Sequence, residues 1–399
     1  MPTTVYCLNP LVFYTSGTDL LATLSGQRIS ISDQILRVFD ALPNEFSKRQ
    51  FFKVALQNEL PAEDAFNECL EKSLLVENTS QPFKKFHLRS ADIEICSHCN
   101  LRCSFCPVSL DPLPAHFMSD GDFETIIKKL APYRLEWITL NHYNEPLLDK
   151  GFLNKLKILK NYRQKLLLFT NGVLLNAKVA DALVEFGRYQ VVINIPTIEN
   201  DKYKSITGIP LAQNLKGNIV SAISKGLKTK ISVNGTIEEA KREKKKILEY
   251  FGDGVDVFVN ITHDRAGIHK NGTIGTGTWT QKLGGCSRIL QILHVGVGGE
   301  IFLCYHDYKK EHILGNILKS SVQEVMESVV ATSLRKQIFG VEDPSGLICN
   351  KCISLNKFGN LQTGPSGTKC EGSDSTSWLV EGGMGAVSED LLKASCWKL

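Results

Sequence analysis

Asp92-Ile-Glu-Ile-Cys96-Ser-His-Cys99-Asn-Leu-Arg-Cys103-Ser-Phe-Cys106 joins a strand-like run to three thiols packed into eight residues. At C-x3-C-x2-C spacing, three thiolates can reach three irons of one cubane cluster. The fourth iron then stays open to a small molecule, whereas an electron-transfer cluster is held by four Cys. A zinc knuckle is the competing reading. It favours C-x2-C pairs with a fourth Cys or His nearby, and His98 offers itself as that ligand. Cys96 could also compete as a ligand from the strand end.

Downstream, strand-like runs recur at Asp92–Cys96, Leu135–Leu140, Lys165–Thr170, Gln190–Ile195, Lys228–Val233 and Val255–Ile261. Helical runs such as Phe123–Leu130, Phe152–Leu159, Lys178–Phe186 and Glu238–Phe251 lie between them. Alternation of this kind implies an α/β parallel sheet with helices outside. Right-handed crossovers curl it toward a TIM-like barrel. Six units make a partial (β/α)6 barrel with an open side, and chemistry belongs at the C-terminal strand ends, where the thiols stand.

Residues 1–85 read as a separate winged-helix-like domain. Extended segments at Val5–Tyr14 and Asp19–Leu24 precede three short helices. The first opens at Ser30-Ile-Ser-Asp33 and the second at Ser47-x-x-Gln50, both capping patterns. The third follows Pro61, which suits a first helical position. Cys69 falls on the third helix's apolar stripe and reads as core.

The 399 residues allow two or three domains, and 43% hydrophobic with 22% charged residues is a globular composition. A net charge of +4 does not announce nucleic-acid binding. Lys241 to Lys246 reads as the solvated face of a helix, since no aromatics interleave it. The N-terminus lacks a signal-peptide pattern, and no apolar run reaches the ~18 residues of a membrane span. The 12 Cys are grouped like metal ligands rather than spread like a disulfide scaffold. The expectation is a cytoplasmic protein without nucleic-acid or membrane partners.

The thiol triplet, its place after the first strand and Asn144-Glu145-Pro146 after the second together resemble the radical S-adenosylmethionine (radical SAM) enzymes. That resemblance implies a [4Fe–4S] cluster on Cys99, Cys103 and Cys106, leaving Cys96 as a spectator. Its open iron would chelate S-adenosylmethionine, which an electron cleaves to a 5′-deoxyadenosyl radical. Asn144, Glu145 and Pro146 stand where the family has a Gly-Gly-Glu type segment that binds the cofactor's amino group, with the two glycines absent. A carboxylate suits an ammonium. Phe105 matches the aromatic position whose backbone contacts adenine, Thr170 opens a Thr-Asn-Gly segment after the third strand, and Asn194 could reach a ribose hydroxyl. Asn234 and Gly235 end the fifth strand.

Cys286-x12-Gly299-x4-Cys304 followed by Cys349-x2-Cys352 resembles the auxiliary-cluster region called Twitch, a short relative of SPASM. It implies a second [4Fe–4S] cluster held by all four Cys, with structural zinc as the alternative. The radical SAM dehydrogenase of 2-deoxy-scyllo-inosamine has the same spacing. Such a cluster would move electrons, and Arg265, His269, Tyr305, His306 and Asp307 are candidate substrate contacts beside it. Residues 1–85 resemble the recognition element of ribosomally made peptide pathways, which binds leader peptides by strand addition.

The implied organisation is 1–85 peptide recognition, 86–265 partial barrel, 266–360 a small C-terminal auxiliary-cluster domain, and 361–399 a tail. The implied function is a maturase that abstracts hydrogen from a precursor peptide, giving epimerisation or a cross-link, with flavodoxin or ferredoxin as reductant. The alternatives are a dehydrogenase of a small alcohol, aminocyclitol or sugar, and a non-catalytic iron–sulfur protein. Epimerisation needs a hydrogen donor, for which Cys370, and after it Cys396, are candidates.

Overall fold

The computed structural model describes residues 4–9, 12–16, 19–22, 28–43, 45–77, 81–252, 255–262, 265–266, 268, 286, 288–338 and 342–352. His269, Cys370, Cys396 and the 361–399 tail lie outside the described residues. The chain divides into two compact units. One takes in the described residues of Met1–His87, Gly277–Leu290 and Met326–Leu379, the other those of Leu88–Thr276 and Gln291–Val325.

The first unit opens with strands β1 (Val5–Leu8), β2 (Val12–Ser16), β3 (Asp19–Ala22) and β4 (Arg28–Ser30). Helix α1 (Asp33–Ala41), strand β5 (Phe46–Ser47), helices α2 (Lys48–Gln57) and α3 (Ala62–Glu71), strand β6 (Leu75–Glu77) and the short helix α4 (Gln81–Lys84) follow. Strands β5, β1 and β6 form one antiparallel sheet, and β2, β3 and β4 another. Helix α2 starts at the Ser47/Gln50 capping box, with both reciprocal bonds made. Because Ser30 ends β4, the cap of α1 passes to Ser32, whose hydroxyl accepts from the Ile35 N–H. Pro61 is the N-cap of α3, one place before the first helical position. Phe39, Phe46, Phe51, Phe66 and Leu75 bury themselves between helices and sheet, Phe66 edge-on to Phe51 at 5.2 Å. Each such ring contributes about 1.5–3 kcal/mol on burial. Cys69 is fully buried among them.

The second unit is the β/α series. Its strands and helices alternate as β7 (Ser90–Ile93), α5 (Asp120–Leu130), β8 (Trp137–Thr139), α6 (Phe152–Asn161), β9 (Leu166–Thr170), α7 (Ala177–Phe186) and β10 (Tyr189–Asn194). They continue through α8 (Asn200–Thr207), α9 (Leu215–Ser224), β11 (Thr229–Gly235), α10 (Ile237–Phe251) and β12 (Asp256–Ile261). The six strands are parallel and adjacent in chain order. Ile93, Ile138, Leu168, Ile193, Ile231 and Val233 are fully buried, the near-continuous apolar reading of a sheet covered on both faces. β7 begins two residues earlier than its sequence pattern; Cys96 makes only an isolated bridge to Phe117. Helix α8 lacks a stripe for periodicity to show, since only Tyr203 and Thr207 of its eight residues are buried.

After a short helix α11 (Arg288–Gln291), strands β13 (Ile292–Val295), β14 (Glu300–Phe302) and β15 (Ile313–Asn316) extend the same sheet beyond β7. β13 is parallel to β7, and β14 and β15 return antiparallel. Among the described residues the sheet thus has nine strands, where the sequence pattern predicts six. Helices α12 (Val322–Met326) and α13 (Val329–Ile338) follow. In the first unit, fully buried Arg335 of α13 donates to the Phe83 carbonyl of α4 at 2.6 Å.

On α10, Lys241, Arg242 and Lys245 are exposed while Lys246 pairs with Glu199 and Glu243 at 2.5 and 3.2 Å, the solvated face its sequence implied. Among the described residues no helix is long and apolar enough to cross a membrane.

Candidate active site

The loop leaving β7 carries Cys99, Cys103 and Cys106, and hydrogen bonds to its neighbours fix its path. Arg102 and Ser104 donate their N–H groups to the Thr207 and Ile206 carbonyls at the end of α8, each at 2.8 Å. The Cys106 N–H donates to the Cys103 carbonyl at 2.8 Å, and the Arg102 guanidinium donates to the Cys99 carbonyl at 2.6 Å. All three thiols line a cavity of about 290 Å³ at the C-terminal strand ends. Cys96 is fully buried beside it, its thiol 3.4 Å from the Glu145 carbonyl.

Burial pushes the Cys99 thiol up to about 12 and raises Cys103 and Cys106 as well. Crowded neutral thiols suit iron, whose positive charge deprotonates a coordinating thiol outright. Three thiols on one cavity wall are a donor set that fits an iron–sulfur cluster.

Glu145 lies in the loop after β8, 2% exposed. Its Oε1 accepts from the Thr170 hydroxyl at 2.8 Å and the Leu147 N–H at 3.1 Å, and its Oε2 accepts from the Asn171 N–H at 2.8 Å. Burial pushes its carboxyl up to about 7 despite these bonds. A buried cavity carboxylate raised so far fits an incoming ammonium, which would restore its charge. Asn144 serves the loop: its amide donates to the Leu140 carbonyl at 3.1 Å and accepts from the His142 N–H at 2.7 Å. Asn144, Phe105, Thr170 and Asn194 line the cavity, whereas Pro146 starts a buried 3-10 turn away from the lining.

Asparagine recurs at the rim. Asn141 follows β8, Asn171 follows β9, and Asn194, Asn234 and Asn260 sit at the ends of β10, β11 and β12, all lining the cavity. The sequence signal for Asn141 and Asn260 is this repetition at successive strand ends, while Asn171 belongs to the Thr-Asn-Gly segment opened by Thr170. A neutral amide both donates and accepts, so such a rim can read a polar ligand without adding charge. Asn171 also donates to Asn100 Oδ1 in the cysteine loop at 2.8 Å, tying the first and third strand ends together.

Gly172 follows at φ +75°, and a β-carbon there would stand 2.8 Å from Ile193 Cγ2. Gly172→Ala is therefore expected to cost about 1–3 kcal/mol and to weaken cofactor binding by displacing Asn171. Thermal melting and a cofactor titration check this, and an unchanged melting temperature would contradict it.

Of the candidate substrate contacts, Arg265 and Tyr305 line the cavity. Asp307 is spent on structure, its carboxylate accepting the Glu311 and His312 N–H groups at 2.9 Å each. His306 is buried outside the lining. Cys304 belongs to the second unit, and Cys286, Cys349 and Cys352 to the first. Cys349 and Cys352 are buried around a 3-10 turn, closed by the Cys352 N–H on the Cys349 carbonyl at 3.0 Å.

Residues 93–251 match the family model of the radical SAM superfamily. The chain carries a radical SAM domain. Residues 286–353 match SPASM, an iron–sulfur cluster-binding domain. Radical SAM superfamily members are enzymes; the radical SAM domain binds a [4Fe–4S] cluster and S-adenosylmethionine, and SPASM binds auxiliary iron–sulfur clusters. A GTP 3′,8-cyclase of Alkaliphilus metalliredigens is 30% identical over 43% of this chain and 52% of its own length. An uncharacterized protein of Methanocaldococcus jannaschii is 29% identical over 28% of this chain and 36% of its own. The chain thus spans between a third and about half of the length of these two curated relatives. The S-adenosyl-L-methionine-dependent 2-deoxy-scyllo-inosamine dehydrogenase of Niallia circulans is 20% identical over 66% of this chain and 92% of its own. Among solved structures, Streptococcus suis SuiB bound to its precursor peptide SuiA shares the fold, with a TM-score of 0.55 and 11% identity over 82% of this chain and 90% of SuiB.

Proposed function

We propose that the chain is a radical SAM maturase of a ribosomally made precursor peptide. The observation that carries the chemistry is the meeting of three half-buried thiols with the raised Glu145 carboxylate in one strand-end cavity. Cys99, Cys103 and Cys106 would hold the cluster, which together with S-adenosylmethionine would supply a hydrogen-abstracting radical. Glu145, held in place by Thr170 and Asn171, would take the cofactor's ammonium. Phe105 and Asn194 would contact adenine and ribose, and the rim would exclude water around them. The sequence spacing of Cys286, Cys304, Cys349 and Cys352 supports an auxiliary cluster in the SPASM region.

The N-terminal module supports a peptide substrate. It has its own core and two short edge strands, β5 and β6, suited to strand addition. The second reading, oxidation of a small aminocyclitol or alcohol, is favoured by the modest cavity and by the 92% coverage of the inosamine dehydrogenase.

Anaerobic reconstitution with S-adenosylmethionine, flavodoxin and a precursor peptide encoded beside the gene separates them by mass spectrometry in deuterated water. The expected result is 5′-deoxyadenosine with a modified peptide: deuterium at unchanged composition for epimerisation, or loss of two hydrogens for a cross-link. An untouched peptide alongside oxidised 2-deoxy-scyllo-inosamine would overturn the maturase reading.

A further inference from the structure

Tyr143 lies two residues before Glu145, among the residues that line the cavity. Its hydroxyl is shielded from solvent and meets no hydrogen-bond partner among the described residues. A buried donor left unmade costs about 1–3 kcal/mol, and each case in a native structure calls for an explanation.

The ring is firmly held. His142 packs against it at 4.5 Å, Tyr308 meets it edge-on at 5.2 Å and 88°, and the Arg265 guanidinium lies 5.8 Å from its centre. Tyr308 is anchored in turn, its hydroxyl donating to the Asp111 carbonyl at 2.6 Å. The hydroxyl shares the cavity lining with the Cys106 thiol and the Glu145 carboxylate.

We propose that Tyr143 is the hydrogen-atom donor of this cavity, an assignment that rests on the radical SAM reading of the site. A phenolic O–H bond is about as weak as a thiol S–H and weaker than an aliphatic C–H. A carbon-centred radical beside Tyr143 takes the phenolic hydrogen atom: the O–H bond breaks, a C–H bond forms, and the unpaired electron passes to the tyrosine ring. One electron from a flavodoxin- or ferredoxin-class carrier and one solvent proton restore the phenol. Tyr308 cannot substitute without giving up its bond to Asp111.

Uncoupled turnover tests this with S-adenosylmethionine and dithionite alone, in protein equilibrated with deuterated water. The exchangeable phenolic hydrogen should appear as a single deuterium in 5′-deoxyadenosine from the wild type and from Tyr308→Phe. It should be absent from Tyr143→Phe, which keeps the ring packing. Electron paramagnetic resonance of rapidly frozen samples supplies a readout other than product: an organic radical whose spectrum narrows when tyrosine is ring-deuterated. The chain has 10 tyrosines, so loss of the signal in Tyr143→Phe and its persistence in Tyr308→Phe assign it to Tyr143. Deuterium retained in Tyr143→Phe, unlabelled product from the wild type, or no tyrosine-dependent narrowing would overturn the assignment. Absence of any 5′-deoxyadenosine from the wild type would overturn the radical SAM reading instead.

Discussion

Cys99→Ala is expected to abolish formation of 5′-deoxyadenosine while leaving the auxiliary cluster in place. Two thiolates cannot keep a cubane whose fourth corner is already open, so iron should fall from about eight to about four atoms per chain. Cluster binding free energy is also folding free energy, so the reconstituted variant should melt below the reconstituted wild type. Cys96→Ala is the control. Its thiol faces the Glu145 and His98 carbonyls and the Asn144 amide, so the change removes packing and weak sulfur contacts but no cluster ligand. Iron analysis, visible absorbance and product chromatography read both variants. Full activity in Cys99→Ala would remove the basis of the reading.

Glu145→Gln is expected to weaken S-adenosylmethionine binding by about 2–5 kcal/mol, the cost of removing one partner of a buried charge pair. It also turns an amide toward one of three groups that now donate to Glu145, so part of the loss will be structural. The pH dependence separates the two effects. In metal-free protein the folded carboxyl is raised to about 7 from 4.5, so the native state binds this proton more tightly than the unfolded chain. Its contribution is fully present below about pH 4.5 and is lost as pH rises through about 7, a change of about 3 kcal/mol at most. Cofactor affinity in the loaded protein should move oppositely, rising toward neutral pH as the carboxylate forms. Glu145→Gln should flatten both profiles. Denaturant titrations and equilibrium binding between pH 5 and 8 check them, and a variant that keeps either slope would assign it to another group.

The β/α series was legible because a parallel sheet buried on both faces writes long apolar runs, and the helices between them keep their stripes. Strands β13 to β15 were not: each has three or four residues, and the pairing of β13 with β7, on which the other two build, is set by tertiary contact rather than by local pattern. The thiol triplet was legible from spacing alone. Glu145 was legible as a carboxylate at a strand end, but its three hydrogen bonds were not, since they depend on Thr170 and Asn171 arriving from the next strand. Tyr143 carried no sequence signal. An aromatic residue in a strand-end loop usually fills space, and only the missing partner of its hydroxyl sets it apart.

The parallel pairing of β7 with β13 joins Ser90 to Ile292, which has a consequence for synthesis on the ribosome. At ordinary elongation rates the second of these strands emerges on the order of 10–40 s after the first. Until then β7 has a bare edge on one side, and the cysteine loop that continues from it is anchored at one flank only. Such an edge invites pairing with another chain, and long-range pairing of this kind folds slowly. The residue that completes the sheet beside the cysteine loop thus comes some two hundred positions after it in synthesis.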